Sequence, residues 1–297
     1  MKSLFLRIVL FLFLVNLLAL PLVVPVLAKK PYPPLAACAA PDLQRGLEDS
    51  LESLRLDKAV EDKSLCVALV DITDPDSPRL AEVNGDEMMY AASLPKIAIL
   101  LGVFDRIERG DLTLTRDLRE KVTRMIRNSS NQAATEMLNL VGKDYLARLL
   151  ESPRYRLYDP EMNGGLWVGK DYGRAAAWKR DPLHHLSHGA TALQVARFYY
   201  LLETGRLVSP EMSQEMKEIL GQPAIHHKFV KGLEKARPGA KIFRKSGTWE
   251  TYHADSGIIE HDGHRYIAVA LAHDPAGGKW LSKLIVSLDD LICRSGG

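Results

Sequence analysis

Tyr90-Ala91-Ala92-Ser93-Leu94-Pro95-Lys96-Ile97-Ala98-Ile99-Leu100-Leu101 is the stretch on which the reading of this chain turns. After Pro95 it runs apolar without glycine or further proline, the mark of a buried helix, and Ser93 and Lys96, three positions apart, project from its first turn on one face. Such a pair can make a nucleophile. A serine hydroxyl attacks poorly at neutral pH unless a base lies within hydrogen-bond reach, and burial at the mouth of an apolar helix draws a lysine pKa down toward the useful range. S-x-x-K alone is weak, because a capped helix start with an exposed lysine has the same spelling.

Working outward, residues 64–73 and 79–84 read as strands joined by the turn-rich Asp74-Pro75-Asp76-Ser77-Pro78, after a helix over 41–56 with Leu43, Leu47, Leu51 and Leu54 at helical spacing. The Ser93 helix ends near Gly110, and further helices are predicted over 114–127 and 132–141. Residues 145–187, with Gly164-Gly165, Gly169 and Gly173, form a long loop-rich insertion, a kind of segment that is usually functional. Helical periodicity returns over 191–204 and 210–220. Strands follow over 241–245, 256–260 and 265–273, with Asp262-Gly263 as a hairpin signal, and a helix over 280–293 closes the chain. This order describes an α+β protein: an antiparallel sheet assembled from both chain ends, with an all-helical insertion.

The 297 residues carry 39 basic and 37 acidic side chains. Residues 1–28 read as a signal peptide or membrane anchor: Lys2 and Arg7 precede an almost unbroken apolar run over 8–27, and Val26-Leu27-Ala28 makes a small-residue ending. Pro21 and Pro25 favour cleavage, whereas the length of the run allows membrane attachment through 8–28. Without Lys2 and Arg7 the balance is 37 to 37, and no basic excess points to a nucleic acid. Residues 29–40 read as a Pro-rich linker and 41–297 as one domain. An oxidising compartment, periplasmic or extracellular, favours pairing Cys38 with Cys293 and leaving Cys66 in its apolar strand. Leu35-Ala36-Ala37-Cys38 also spells a lipobox, although it stands well beyond the apolar run.

Two more short patterns sit at element boundaries. Ser129-Ser130-Asn131 lies between two helices, where it also reads as an ordinary helix start. Lys245-Ser246-Gly247-Thr248 ends a strand. There Lys245 and Thr248 offer a cation and a hydroxyl to a carboxylate, and Gly247 leaves room for a substrate backbone. S-x-x-K, S-x-N and K-[ST]-G in this order resemble the signature of the class A β-lactamase-like, penicillin-recognising serine hydrolases over residues 60–293.

The resemblance implies a five-stranded antiparallel sheet flanked by helices plus a helical half, with the site between them. It implies Ser93 as the acylated nucleophile, Lys96 as its proton acceptor and Ser129 as proton donor to the leaving nitrogen. Asn131 would hold the substrate amide, Lys245, Ser246, Gly247 and Thr248 the substrate carboxylate, and backbone N–H groups of Ser93 and of Trp249 or Glu250 the oxyanion. No cofactor or metal is implied. Ser130 stands where the family usually has Asp, and the short interval from Ser93 to Ser129 suggests a more open cleft.

The family's E-x-x-L-N, whose glutamate activates the hydrolytic water, does not occur. Asp181, with His185 in the asparagine's place, is the nearest substitute, and Asp181-Pro182 reads equally as a turn. Glu161 is a second candidate. His184, His185 and His188 do not have a metal-site pattern around them. The expected activity is that of an exported serine hydrolase that acylates Ser93 on β-lactams or related amides and esters and then turns over; the alternative is a penicillin- or peptidoglycan-binding protein with little or no deacylation.

Overall fold

The structure, a computed structural model, describes residues 32–294. Those residues form ten α-helices, two short 3-10 helices and ten strands. The leader read over 1–28 lies outside them, and among the described residues no helix is long and apolar enough to cross a membrane.

Along the chain come α1 (Pro41–Ser53), α2 (Asp57–Glu61), β1 (Leu65–Asp71), β2 (Arg79–Val83), β3 (Met89–Tyr90), α3 (Lys96–Glu108), α4 (Arg116–Arg127), α5 (Asn131–Val141) and α6 (Lys143–Glu151). Then follow the short strands β4 (Tyr158–Asp159), β5 (Gly164–Gly165), β6 (Trp167–Val168) and β7 (His188–Ala190), before α7 (Ala192–Glu203), α8 (Pro210–Leu220) and α9 (Phe229–Ala236). The chain ends with β8 (Lys241–Trp249), β9 (Tyr252–His261), β10 (His264–His273) and α10 (Gly277–Arg294).

Strands from both ends make one antiparallel sheet in the order β2-β1-β10-β9-β8. Asp262 and Gly263 both take left-handed backbone, φ 47° and 78°, the turn whose twist matches a two-residue hairpin. Side-chain alternation then divides the sheet between two cores. Cys66, Ala68, Val70, Ile267, Val269 and Leu271 face the helical half. Leu65, Val67, Leu69, Tyr266, Ala268 and Ala270 face α1 and α10. With both faces covered, the central strands are apolar throughout rather than alternating. Helix α3 crosses the first core and is buried on every side from Ile97 to Phe104, which is why its sequence shows no polar stripe.

Three expectations change. Residues 145–187 begin with a helix, α6, whose start is hidden by Gly142 at φ 90° between two helices. Residues 32–40 pack on the fold, with Leu35 buried in the first core and Ala39 bridged to Leu80. Cys38 and Cys293 are free thiols. Cys38 packs on the core facing the helical half, whereas Cys293 ends α10 on the other face, so the sheet stands between them.

Candidate active site

Lys96 opens α3 and is fully buried. Its Nζ donates to the Ser129 carbonyl oxygen at 2.6 Å and to Asn131 Oδ1 at 2.8 Å, and lies 3.4 Å from Ser129 Oγ. It also stands 4.5 Å from the centre of the Tyr172 ring. These partners are neutral, so burial dominates and brings the lysine pKa down from 10.5 to about 7. Ser93 precedes the helix instead of standing in it. The chain turns through Ala92 at φ 50°, Leu94 N donates to the Ala91 carbonyl oxygen, and the half-buried Ser93 lines a cavity of about 710 Å³.

The Ser-Ser-Asn segment divides its work between backbone and site. Ser130 caps α5, its Oγ accepting from Ala133 N at 3.2 Å. A hydroxyl there satisfies the helix end, which accounts for tolerance of Ser where the resembling family has Asp. Ser129, at φ 54°, turns the other way. Its Oγ accepts from Lys245 Nζ at 2.9 Å, leaving the Ser129 proton free to be donated elsewhere. Lys245 is itself buried and donates to the Ser246 carbonyl oxygen at 2.7 Å. Burial, with Lys96 and Arg244 nearby, holds its pKa well below 10.5.

Gly247 lies inside β8, which continues to Trp249, and its role is intramolecular. A β-carbon at Gly247 would stand 2.1 Å from the Ala91 carbonyl oxygen and 2.9 Å from the backbone nitrogens of Ser93 and Leu94. Only glycine lets this strand lie against the Ser93 turn, so the room it leaves is filled by the protein's own backbone. Lys245, Ser246 and Gly247 are not among the residues that line the cavity, whereas Asn131 and Thr248 are.

Sequence reasoning missed two supports of β8. Arg244 makes a two-pronged ion pair with Asp255, at 2.9 and 2.6 Å, with both residues buried. Lys228, before α9, is buried and donates to the Gly247 carbonyl oxygen, to Thr248 Oγ1 at 2.7 Å and to the Ala254 carbonyl oxygen at 3.0 Å. Because Thr248 Oγ1 accepts from Lys228, its own proton is free for a ligand in the cavity. No motif marks Lys228; its acceptors lie on two strands, Gly247 and Thr248 on β8 and Ala254 directly opposite on β9.

Asp181 is not brought to this cavity. It is fully buried, and its Oδ1 accepts from Leu183 N at 3.1 Å, His184 N at 2.8 Å and Tyr158 Oη at 3.1 Å. Leu186 N takes Oδ2. The side chain closes its own turn, the other reading of Asp181-Pro182. His185 is exposed in that turn, and Glu161 is exposed and paired with Arg156. The cavity wall on this side is His188, buried and stacked 4.3 Å from Tyr172, its pKa lowered to about 3 by burial and by Lys170 and Lys96. Among the described residues lining the cavity, Glu250 is the one carboxylate.

One other cluster has metal-ligand composition. His261, Asp289 and Cys293 bring ligand atoms within 4.8 Å of one another. Asp289, however, already accepts from Arg237 Nε at 2.7 Å and from Tyr266 Oη at 2.9 Å. A cation there would compete with a guanidinium, so this donor set does not suit one.

Solved structures similar to this chain share its fold. A beta-lactamase from Sphaerobacter thermophilus DSM 20745 is 18% identical, with a TM-score of 0.62 over 83% of this chain and 97% of that one. PBP-A is 18% identical at a TM-score of 0.64, over 89% and 99%. TLA-3 extended-spectrum beta-lactamase is 15% identical at 0.65, over 85% and 98%. No curated protein sequence matches. The profile described as the Beta-lactamase enzyme family matches residues 54–121 and 115–293, and with most of the chain matched, this protein belongs to that family.

Proposed function

We propose that the protein forms an acyl-enzyme through Ser93 on β-lactams or related amides and esters that carry a carboxylate. The observation carrying this reading is the pair of buried lysines meeting at Ser129, beside a cavity lined by Ser93.

In the acylation step neutral Lys96 takes the Ser93 proton as Oγ attacks the carbonyl carbon. Backbone N–H groups of Ser93 and of Trp249 or Glu250 hold the oxyanion, each worth ~3 kcal/mol to the transition state. Ser129 gives its proton to the leaving nitrogen, the C–N bond breaks, and the proton on Lys96 is available to restore that of Ser129. Asn131 holds the substrate amide and Thr248 receives the carboxylate, with Lys245 buried behind them on Ser129. A PBP-A mutant is described as an acyl-enzyme complex with penicillin G, which fits this reading.

Water must then cleave the ester. With Asp181 committed to its turn, the exposed Glu250, just after β8, is the one carboxylate among the described residues lining the cavity, and release by water is proposed to be slow. A fluorescent penicillin with an unlabelled chase tests both steps. Label that attaches to Ser93 and persists supports acylation with slow release; label lost as fast as it forms replaces slow release with efficient hydrolysis; absence of label discards β-lactam acylation. Residues 1–28 fit export, either as a signal peptide that is removed or as an anchor that holds the chain to a membrane through 8–28, and the N-terminus of the mature chain decides between them.

A further inference from the structure

A second cleft, of about 950 Å³, opens between α9 and α10. The helices meet closely at Gly232, where a β-carbon would stand 2.3 Å from the Ser282 carbonyl oxygen. Beside that crossing they leave a floor of Gly232, Ala236 and Val286. Lys231 and Lys235 line it from α9, Lys279 and Lys283 from α10, each pair one helical turn apart. All four are exposed. The acids of these two helices are committed elsewhere: Glu234 to His226, and Asp289 and Asp290 to Arg237. Among the described residues no carboxylate lines the cleft, so like charges face one another across an apolar floor in a chain whose net charge is only +2. Its size is that of a small-molecule site. The charge calls for an anion and the floor for hydrocarbon.

We propose that this cleft binds an amphiphilic anion, a single apolar chain ending in a carboxylate, with the chain on the Gly232, Ala236 and Val286 floor and the head among the four lysines. The site is separate from the Ser93 cavity yet adjoins it. Thr248 lines both, and Lys228, which lines the cleft, holds the Thr248 hydroxyl.

The test titrates a fluorescent fatty acid, dansylundecanoate, into the full chain and into the quadruple variant Lys231→Gln, Lys235→Gln, Lys279→Gln, Lys283→Gln under the same conditions. One saturable site is expected, weakened at least tenfold in the variant and by added salt. Val286→Trp, which fills the floor and leaves the lysines, should also block it, with circular dichroism showing both variants folded. Equal binding by parent and quadruple variant, or equally tight binding of the cationic probe dansylcadaverine, overturns the proposal. So does capture of the parent but not the variant on phosphatidylglycerol vesicles when dansylundecanoate binds neither, since that describes a membrane-facing charge patch. None of these readouts uses Ser93, so their failure is distinguishable from failure of acylation.

Discussion

Around Ser93 the backbone is held from outside, whereas around Asp181 it is held by the side chain itself. The Ser93 turn is pressed by β8 at Gly247, and the helix after it has Pro95 at its N-cap and no side-chain cap, so the Ser93 hydroxyl has no capping duty. The Asp181 carboxylate takes three backbone N–H groups and a tyrosine hydroxyl, and nothing of it is left for a substrate. A functional side chain can be free only where other groups have fixed its backbone. That difference explains how one short pattern leaves a serine side chain free for the proposed chemistry while an equally suggestive one marks a turn.

The strongest way to break this comparison is to remove the outside hold. Gly247→Val should push β8 off the Ser93 turn and lower acylation at least a hundredfold, read by fluorescent-penicillin labelling; near-parental labelling would mean that the close approach is unnecessary. Asp255→Ala comes next, because it leaves the Arg244 guanidinium buried and unpaired under the same strand. A loss of ~3–5 kcal/mol in urea unfolding is expected, and a loss under 1 kcal/mol would show that Arg244 finds water. Asp181→Asn sharpens the other side. An amide cannot accept every bond the carboxylate does, so stability should fall by ~1–3 kcal/mol while acylation and release change together. Selective slowing of release would return Asp181 to the chemistry.

Much of the frame is legible in the residues. Asp262-Gly263 marks the hairpin, the 3.6 spacing of Leu43, Leu47 and Leu51 marks α1, and the unbroken apolar run after Lys96 marks the central helix. The catalytic-type residues are legible because each must keep a chemical identity in a short local pattern. What is illegible depends on distant partners. Lys228 belongs to no short pattern, and only the folded strand pair β8–β9 supplies its three acceptors. Helix α9 is short and interrupted by Gly232, whose purpose is contact with α10. The free Cys38 and Cys293 show the same limit, since spacing along the chain says nothing about a sheet lying between two thiols.

The central claim is that burial makes Lys96 a base for Ser93. Its folded-state pKa of about 7 lies below the usual 10.5, so the ammonium form dominates at lower pH and the accepting amine at higher pH. The direct measurement is the rate of fluorescent-penicillin attachment to Ser93, mapped by mass spectrometry, from pH 5 to 9, in the parent and in Lys96→Ala. The account predicts a rate that climbs with pH and levels off above about 7, and a Lys96→Ala variant slowed at least a thousandfold with the pH step gone. A flat profile in the parent, or a Lys96→Ala variant labelled at the parental rate, would contradict it.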